Sequence, residues 1–364
     1  MATGANFRES EIREFLSSSG WGDAFRTPLS ADASTRRYER LRLKSQSAML
    51  MDAPPLESPP CPPSADEETR LSLGWNAVSR LAASRLEAFM AVGEHLRALG
   101  LSAPETLAHD IPRGLAVLED LGDELFARAI ERGEDERVLY AAAGEVLGRA
   151  HLHPTPSALA YPGGEWPILE YDHLALRANI DLFIDWSPRR DMDIRINDAN
   201  RLRWERVSEA LIERALEWPR SLCLRDTHAE NLLWLPDRAG DGRVGLLDYQ
   251  DAVLGWGEWD MSMLLHDARR TVSPEAAEAA RIAYLNRTDG QAAAFDERLC
   301  VLGAINILRI MGIFSRLVIR DSKPRYDQFQ PRLRRLLTSV LDHSSLGELK
   351  DFVRSTAPHL LSSP

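Results

Sequence analysis

The sequence predicts an α+β chain in two lobes, a small N-terminal lobe with an antiparallel sheet and a larger helix-rich C-terminal lobe. Three observations carry that prediction. Apolar and polar residues alternate between Arg37 and Met51 as in paired strands, helical patterning dominates after about Asp123, and one turn-rich segment between short apolar runs marks a hairpin inside that helical part. At 364 residues, 44% hydrophobic and 27% charged, the chain has the composition of a soluble globular protein with a sizeable core.

In chain order, Met1 to Gly20 spaces Ile12, Phe15 and Leu16 on a helical period and is too polar for a signal peptide. Small residues fill Ser30 to Thr35. Arg37 to Leu43 and Ala48 to Met51 then read as two antiparallel strands with a break at Lys44 to Ser47. The prolines within residues 53–63 lack an amide donor and fix φ, so that stretch is a loop or flap. Helical spacing predicts one helix from about Trp75 to Leu99, with Gly100 as its C-cap and Pro104 beyond. Leu115 to Leu118 is a buried strand. The lobe boundary falls as the chain leaves it through Glu119-Asp120-Leu121-Gly122, giving residues 1–121 and 122–364. No run approaches the apolar length of a membrane span.

Charge and cysteine usage exclude several classes. Lys+Arg 44 against Asp+Glu 55 leaves a net charge of -11, which argues against a nucleic-acid partner needing a basic face. Cys61, Cys223 and Cys300 lie far apart, so neither a zinc site nor a disulfide framework is expected, and the cytoplasm is the default compartment. Only Lys44, Lys323 and Lys350 are lysines.

The chemistry-bearing segment is Arg225-Asp226-Thr227-His228-Ala229-Glu230-Asn231, followed by Leu247-Asp248-Tyr249-Gln250-Asp251. Leu232 to Leu235 and Val244 to Leu247 are apolar runs flanking the turn-rich Pro236 to Gly242. A hairpin returns the chain to its start, so Asn231 and Asp248 should stand side by side with Asp226 in the same loop. One amide oxygen and one carboxylate, completed by phosphates and water, make a sound half-site for magnesium. Asp226 is then placed to orient an incoming hydroxyl and accept its proton.

These residues resemble the aminoglycoside-phosphotransferase branch of the protein-kinase-like fold, along nearly the whole chain. Within that branch the chain is most similar to the cell-wall-recycling kinases that phosphorylate the anomeric hydroxyl of N-acetylmuramate and N-acetylglucosamine. The closer resemblance lies in Ala31 to Tyr38, Met51 to Pro55, the catalytic stretch and Gly312 to Tyr326. It implies ATP and Mg2+ as cofactors and a small-molecule amino sugar as partner. Asp226 would be the catalytic base, with Asn231 and Asp248 as magnesium ligands. Ser34 and Thr35 would lie over the nucleotide phosphates, and Glu119 and Leu121 would flank the adenine. Asp260 would either brace the catalytic loop or simply cap a helix. The alternatives are another small-molecule kinase of the same branch, acting on an aminoglycoside, a choline-like or an amino-acid alcohol, or a non-catalytic scaffold.

One departure stands out: Ala48-Met49-Leu50-Met51 has no lysine at the strand position where kinases grip the α- and β-phosphates. Arg36, Arg37 and Arg42 are the candidate replacements, since a guanidinium binds phosphate bidentately; Arg36 is grouped with the nucleotide set. On the acceptor side the candidates are His228, Asp251 and Arg316. Arg309, Arg316 and Arg320 share one helix face, either as a cationic wall for an anionic substrate or as a solvated stripe. Trp166, Tyr171 and Trp186, with Asp172 and Asp185, form either a carbohydrate face or helical core. His151 and His153, ending a helical stretch before Pro154, are expected in a solvated or capping role.

Overall fold

The computed structural model of the chain describes residues 2–29, 36–56, 59–192 and 196–361; Ser34 and Thr35 lie outside them. Helix α1 (Ala2–Ser18) is followed by β1 (Phe25–Pro28), β2 (Arg37–Leu43) and β3 (Gln46–Asp52). Three helices, α2 (Glu67–Leu73), α3 (Trp75–Val78) and α4 (Leu86–Ala98), lead to β4 (Thr106–Asp110) and β5 (Leu115–Glu119). The five strands form one antiparallel sheet in the order β1-β2-β3-β5-β4.

The period-2 pattern of β3 decides which face goes where. Ala48 and Leu50 turn to α1 and form a cluster with Ile12, Phe15 and Leu16, while Met51 turns to the opposite face and joins the main core with Phe89 and Met90. Each of the larger of these buried side chains, such as Leu50 or Phe15, contributes about 2 kcal/mol of hydrophobic stabilisation. Arg8 fixes α1 across the sheet edge, donating to the Asp52 carboxylate from Nε at 3.0 Å.

The C-terminal part begins with α5 (Phe126–Glu131), α6 (Glu136–Leu152) and a small hairpin of β6 (Ala158–Tyr161) and β7 (Gly164–Pro167). Helices α7 (His173–Met192) and α8 (Asp198–Leu216) precede β8 (Ser221–Cys223), β9 (Leu232–Trp234), β10 (Val244–Leu246) and β11 (Val253–Gly255). Helices α9 (Gly257–Leu265), α10 (Pro274–Thr288), α11 (Ala292–Ile319), α12 (Gln330–Val340) and α13 (Gly347–Thr356) complete it. This half therefore holds more strand than the single expected hairpin, because β6–β7 and the β8–β11 pair were too short to register as periodic segments.

Two further expectations are corrected. The helix expected from Trp75 to Leu99 is broken between α3 and α4, where Arg80 and Ala83 both take φ of 56°. Local sequence there favours helix, but distant partners capture the backbone. The Asp251 carboxylate accepts the amides of Ala82 at 2.6 Å and Ala83 at 3.0 Å, and Arg225 donates to the carbonyls of Ser79 and Arg80. Gly100 does end α4 in a left-handed conformation, φ 80°.

The expectation that no run reaches membrane-span length also fails. Helix α11 is long and apolar enough by composition, with a window of mean hydropathy 1.7, yet 67% of that window is buried inside the protein. It is the central core helix of the C-terminal part. Gly312 on α11 is forced by its neighbour, since a Cβ there would stand 2.2 Å from the Leu182 carbonyl carbon of α7.

Candidate active site

The hairpin expected from the sequence is β9–β10, each strand one residue shorter than the apolar run, in the register Leu232 opposite Leu246 and Trp234 opposite Val244. The Leu247 amide donates to the Asn231 carbonyl at 3.0 Å, so the ladder continues one pair further and delivers Asn231 and Asp248 to the same end. Both line one cleft of about 640 Å³ beneath the N-terminal sheet. The Asn231 side-chain amide donates back to the Asp226 carbonyl at 2.8 Å, which turns its side-chain oxygen away from that carbonyl. Asp248 sits at φ 59°, a left-handed conformation that a non-glycine residue adopts only under tertiary constraint.

Asp226 is placed by a brace below the loop. Asp260, 0% exposed on α9, accepts the Leu224 amide at 2.7 Å and the Arg225 amide at 2.8 Å, and its carbonyl accepts from Thr227 Oγ1 at 2.8 Å. The capping alternative is thereby set aside: α9 starts at Gly257, and its N-cap, Trp256, makes no side-chain capping bond. His151 is corrected with it. Rather than being solvated, it is buried with Nε2 3.0 Å from Asp260 and Nδ1 3.1 Å from the Tyr284 hydroxyl. His153 is the C-cap of α6.

Burial pushes the Asp226 carboxyl above its ordinary range, the nearby Asp248 charge pushes the same way, and Arg309 opposes both. A raised carboxyl suits a proton acceptor better than a strongly stabilised carboxylate would. Arg309 was visible in the sequence only as part of a stripe. On α11 its guanidinium lies 5.6 Å from the Trp259 ring centre, and its Nε donates to Asn306 Oδ1 at 3.0 Å. Nothing in its local sequence marks it as a neighbour of Asp226.

The other expected residues divide. Arg36, Glu119, Leu121 and Asp251 line the same cleft as Asn231 and Asp248. The Glu119 amide is engaged by the Glu105 carbonyl at 2.8 Å, so its own carbonyl is the group it can offer a base. Asp251 spends its carboxylate on the Ala82 and Ala83 amides, and burial raises its pKa. His228 is folded into the loop, with Nδ1 accepting the Glu230 amide at 3.3 Å. Arg316 is not in the cleft. It lies half-buried, 5.3 Å from the ring centre of Trp75. Arg37 and Arg42 are exposed on the sheet, leaving Arg36 as the cleft member of those three.

The imagined carbohydrate face does not assemble. Tyr171 is fully buried beneath the Arg225 guanidinium, Asp172 binds Arg70 and Arg80, and Asp185 bonds Arg201.

The cleft is lined by apolar Met49, Leu118 and Leu233 together with the polar Asn231 and Asp248. That combination suits a planar base joined to a polyphosphate. The hard oxygen donors of Asn231 and Asp248 fit magnesium, which keeps waters and phosphate oxygens in its remaining positions.

Comparison with known proteins extends over the same region. Residues 26–295 match the phosphotransferase enzyme family. An N-acetylmuramate/N-acetylglucosamine kinase of Caulobacter vibrioides is 51% identical over 94% of this chain and 95% of its own length. A protein of the same name from Pseudomonas aeruginosa is 28% identical over 95% and 94%. Among solved structures, a choline/ethanolamine kinase family protein from Mesorhizobium loti superposes with TM-score 0.56 at 17% identity, covering 96% of this chain and 99% of that one. An ADP-bound aminoglycoside phosphotransferase gives 0.53 at 13% identity, covering 90% and 96%. The fold expected from the sequence is thus shared with kinases of small molecules, and the chain belongs to the phosphotransferase enzyme family as an ATP-dependent kinase.

Proposed function

We propose that this chain phosphorylates the anomeric hydroxyl of N-acetylmuramate and N-acetylglucosamine, using ATP and magnesium in the cytoplasm to feed peptidoglycan recycling. The observation that carries the reading is the 51% identity to a kinase named for both sugars over almost the whole of both chains. Residues 1–121 serve as the nucleotide lobe and 122–364 as the catalytic and acceptor lobe.

Asp226 holds the acceptor hydroxyl and takes its proton as the oxygen closes on the γ-phosphorus. An anomeric hydroxyl is more acidic than an ordinary alcohol, so one raised carboxylate suffices for a loose transition state. Asn231 and Asp248 hold the metal, which when bound offsets the charge on the phosphate oxygens. Main-chain groups at Glu119 and Leu121 position the adenine, and Asp260, itself held by His151, keeps the loop in register by accepting the Leu224 and Arg225 amides.

The test is ATP consumption with N-acetylmuramate, N-acetylglucosamine, an aminoglycoside and choline, with phosphorus NMR of the product. A sugar 1-phosphate from the two amino sugars is expected. Turnover confined to the aminoglycoside or choline, or phosphate on another oxygen, would overturn the assignment.

A further inference from the structure

If the cleft takes a magnesium nucleotide, as proposed above, some cation must grip the phosphates, and β3 cannot supply it. Met51 there is 1% exposed and packed into the core. Arg36 stands immediately before β2, and its side chain reaches into the cleft. One guanidinium nitrogen donates to the Asp248 carboxylate and another to Gln250 Oε1 at 2.5 Å. Gln250 closes the arrangement by donating from Nε2 to Asp248 Oδ1 and Asp251 Oδ2, both at 3.2 Å.

The consequence is electrostatic. Asp248 is the carboxylate that a divalent ion would need, and its charge is offset by the buried, permanently charged Arg36. Arg36 and Gln250 both engage Asp248 Oδ1, and a divalent cation arriving at the other carboxylate oxygen would stand close to the guanidinium charge, which repels it. A bound triphosphate changes the balance, because it brings a denser anion to the same cleft, and a guanidinium binds it bidentately. The long Arg36 stem lets the head group move while the backbone stays fixed, since the next residue, Arg37, is already in register opposite Asp52.

We infer that Arg36 is an exchangeable counter-ion: it pairs with Asp248 until metal and nucleotide enter together, then passes to the phosphates, taking the place of the absent lysine. Free metal is thereby kept off the site until nucleotide arrives. Arg36 is a positioning residue in this role, acting through Asp248 as much as on the nucleotide.

The experiment measures two affinities of the full chain without sugar. Mn2+ alone is titrated by electron paramagnetic resonance, and a non-hydrolysable ATP analogue with Mg2+ by calorimetry. In Arg36→Gln, Mn2+ should bind about tenfold more tightly than in the wild type and the nucleotide about tenfold or more weakly, the scale of one charge-assisted contact. Arg36→Lys keeps the charge without the fork and should lie between on both axes; it carries the same two comparisons if the glutamine variant does not fold. Opposite movement of the two affinities supports the exchange. An unchanged Mn2+ affinity, or an unchanged nucleotide affinity, overturns it. Because no sugar is present, failure here is distinct from failure of the amino-sugar assignment, which would show only in the acceptor panel.

Discussion

At Asp226 the burial of the carboxyl and the neighbouring Asp248 both favour the protonated form, with Arg309 pulling the other way. The role proposed for Asp226 requires it ionised, so turnover should fall as pH drops through this raised pKa. Arg309→Gln removes the stabilising cation, and the acid limb of the kcat profile should move to higher pH; a limb that stays in place would remove Arg309 from the site. Asp226→Asn should lower kcat by about 10³-fold, within the range for a lost general base. Its melting temperature should be nearly unchanged, because the half-buried side chain keeps its size and loses a charge on which desolvation and the neighbouring arginines act in opposite directions. A scaffold without catalysis would show no change in turnover at all. Asp226, Asn231 and Asp248 were legible because a seven-residue motif and a hairpin bring them together locally. Arg309 was not, because it reaches Asp226 from a helix far along the chain, and only packing reveals that approach.

Among the elements, the β9–β10 hairpin and the β2–β3 pair follow directly from alternation and turn residues, and the structure places their ends within two residues of the expected runs. The break between α3 and α4 could not be read in that way. Its residues favour helix, and the hydrogen bonds that reshape it come from Asp251 and Arg225 of the catalytic region. The same kind of long-range demand explains Gly312. Its Cβ would meet the Leu182 carbonyl carbon at 2.2 Å and its oxygen at 2.3 Å, both backbone atoms of α7 that cannot move alone. Gly312→Ala should therefore cost about 2 kcal/mol or more through overpacking, despite the better helix propensity of alanine. Equilibrium urea unfolding checks it, and an alanine variant as stable as the parent would show that α7 and α11 can separate freely.

For the whole molecule, three apolar clusters hold the fold: α1 against the outer sheet face, a central core beneath the sheet, and the C-terminal helices around α11. The arrangement was foreseeable as a class, while the sequence reading, which noted no long apolar run, missed the apolar α11 that serves as its buried core helix. His266, the C-cap of α9, is half-buried, and desolvation, then Arg332, push its pKa down to about 4. Above the unfolded value of 6.5 the imidazole is neutral in both states and stability is unaffected. Between 6.5 and about 4 only the unfolded chain takes up the proton, so stability falls with pH, by up to about 3 kcal/mol. Urea unfolding at pH 7 and pH 4.5 should show a smaller difference for His266→Gln than for the wild type; equal differences would mean that the imidazole titrates normally in the native state. The arginine-for-lysine exchange at the nucleotide cleft also has a practical outcome. The three lysines stand in the β2–β3 turn, after α11 and beside Asp342, none of them lining the cleft. Acyl-phosphate ATP reagents, which tag kinases by acylating an amine next to the phosphates, would leave this cleft unlabelled, so activity-based profiling with them would pass over a working enzyme.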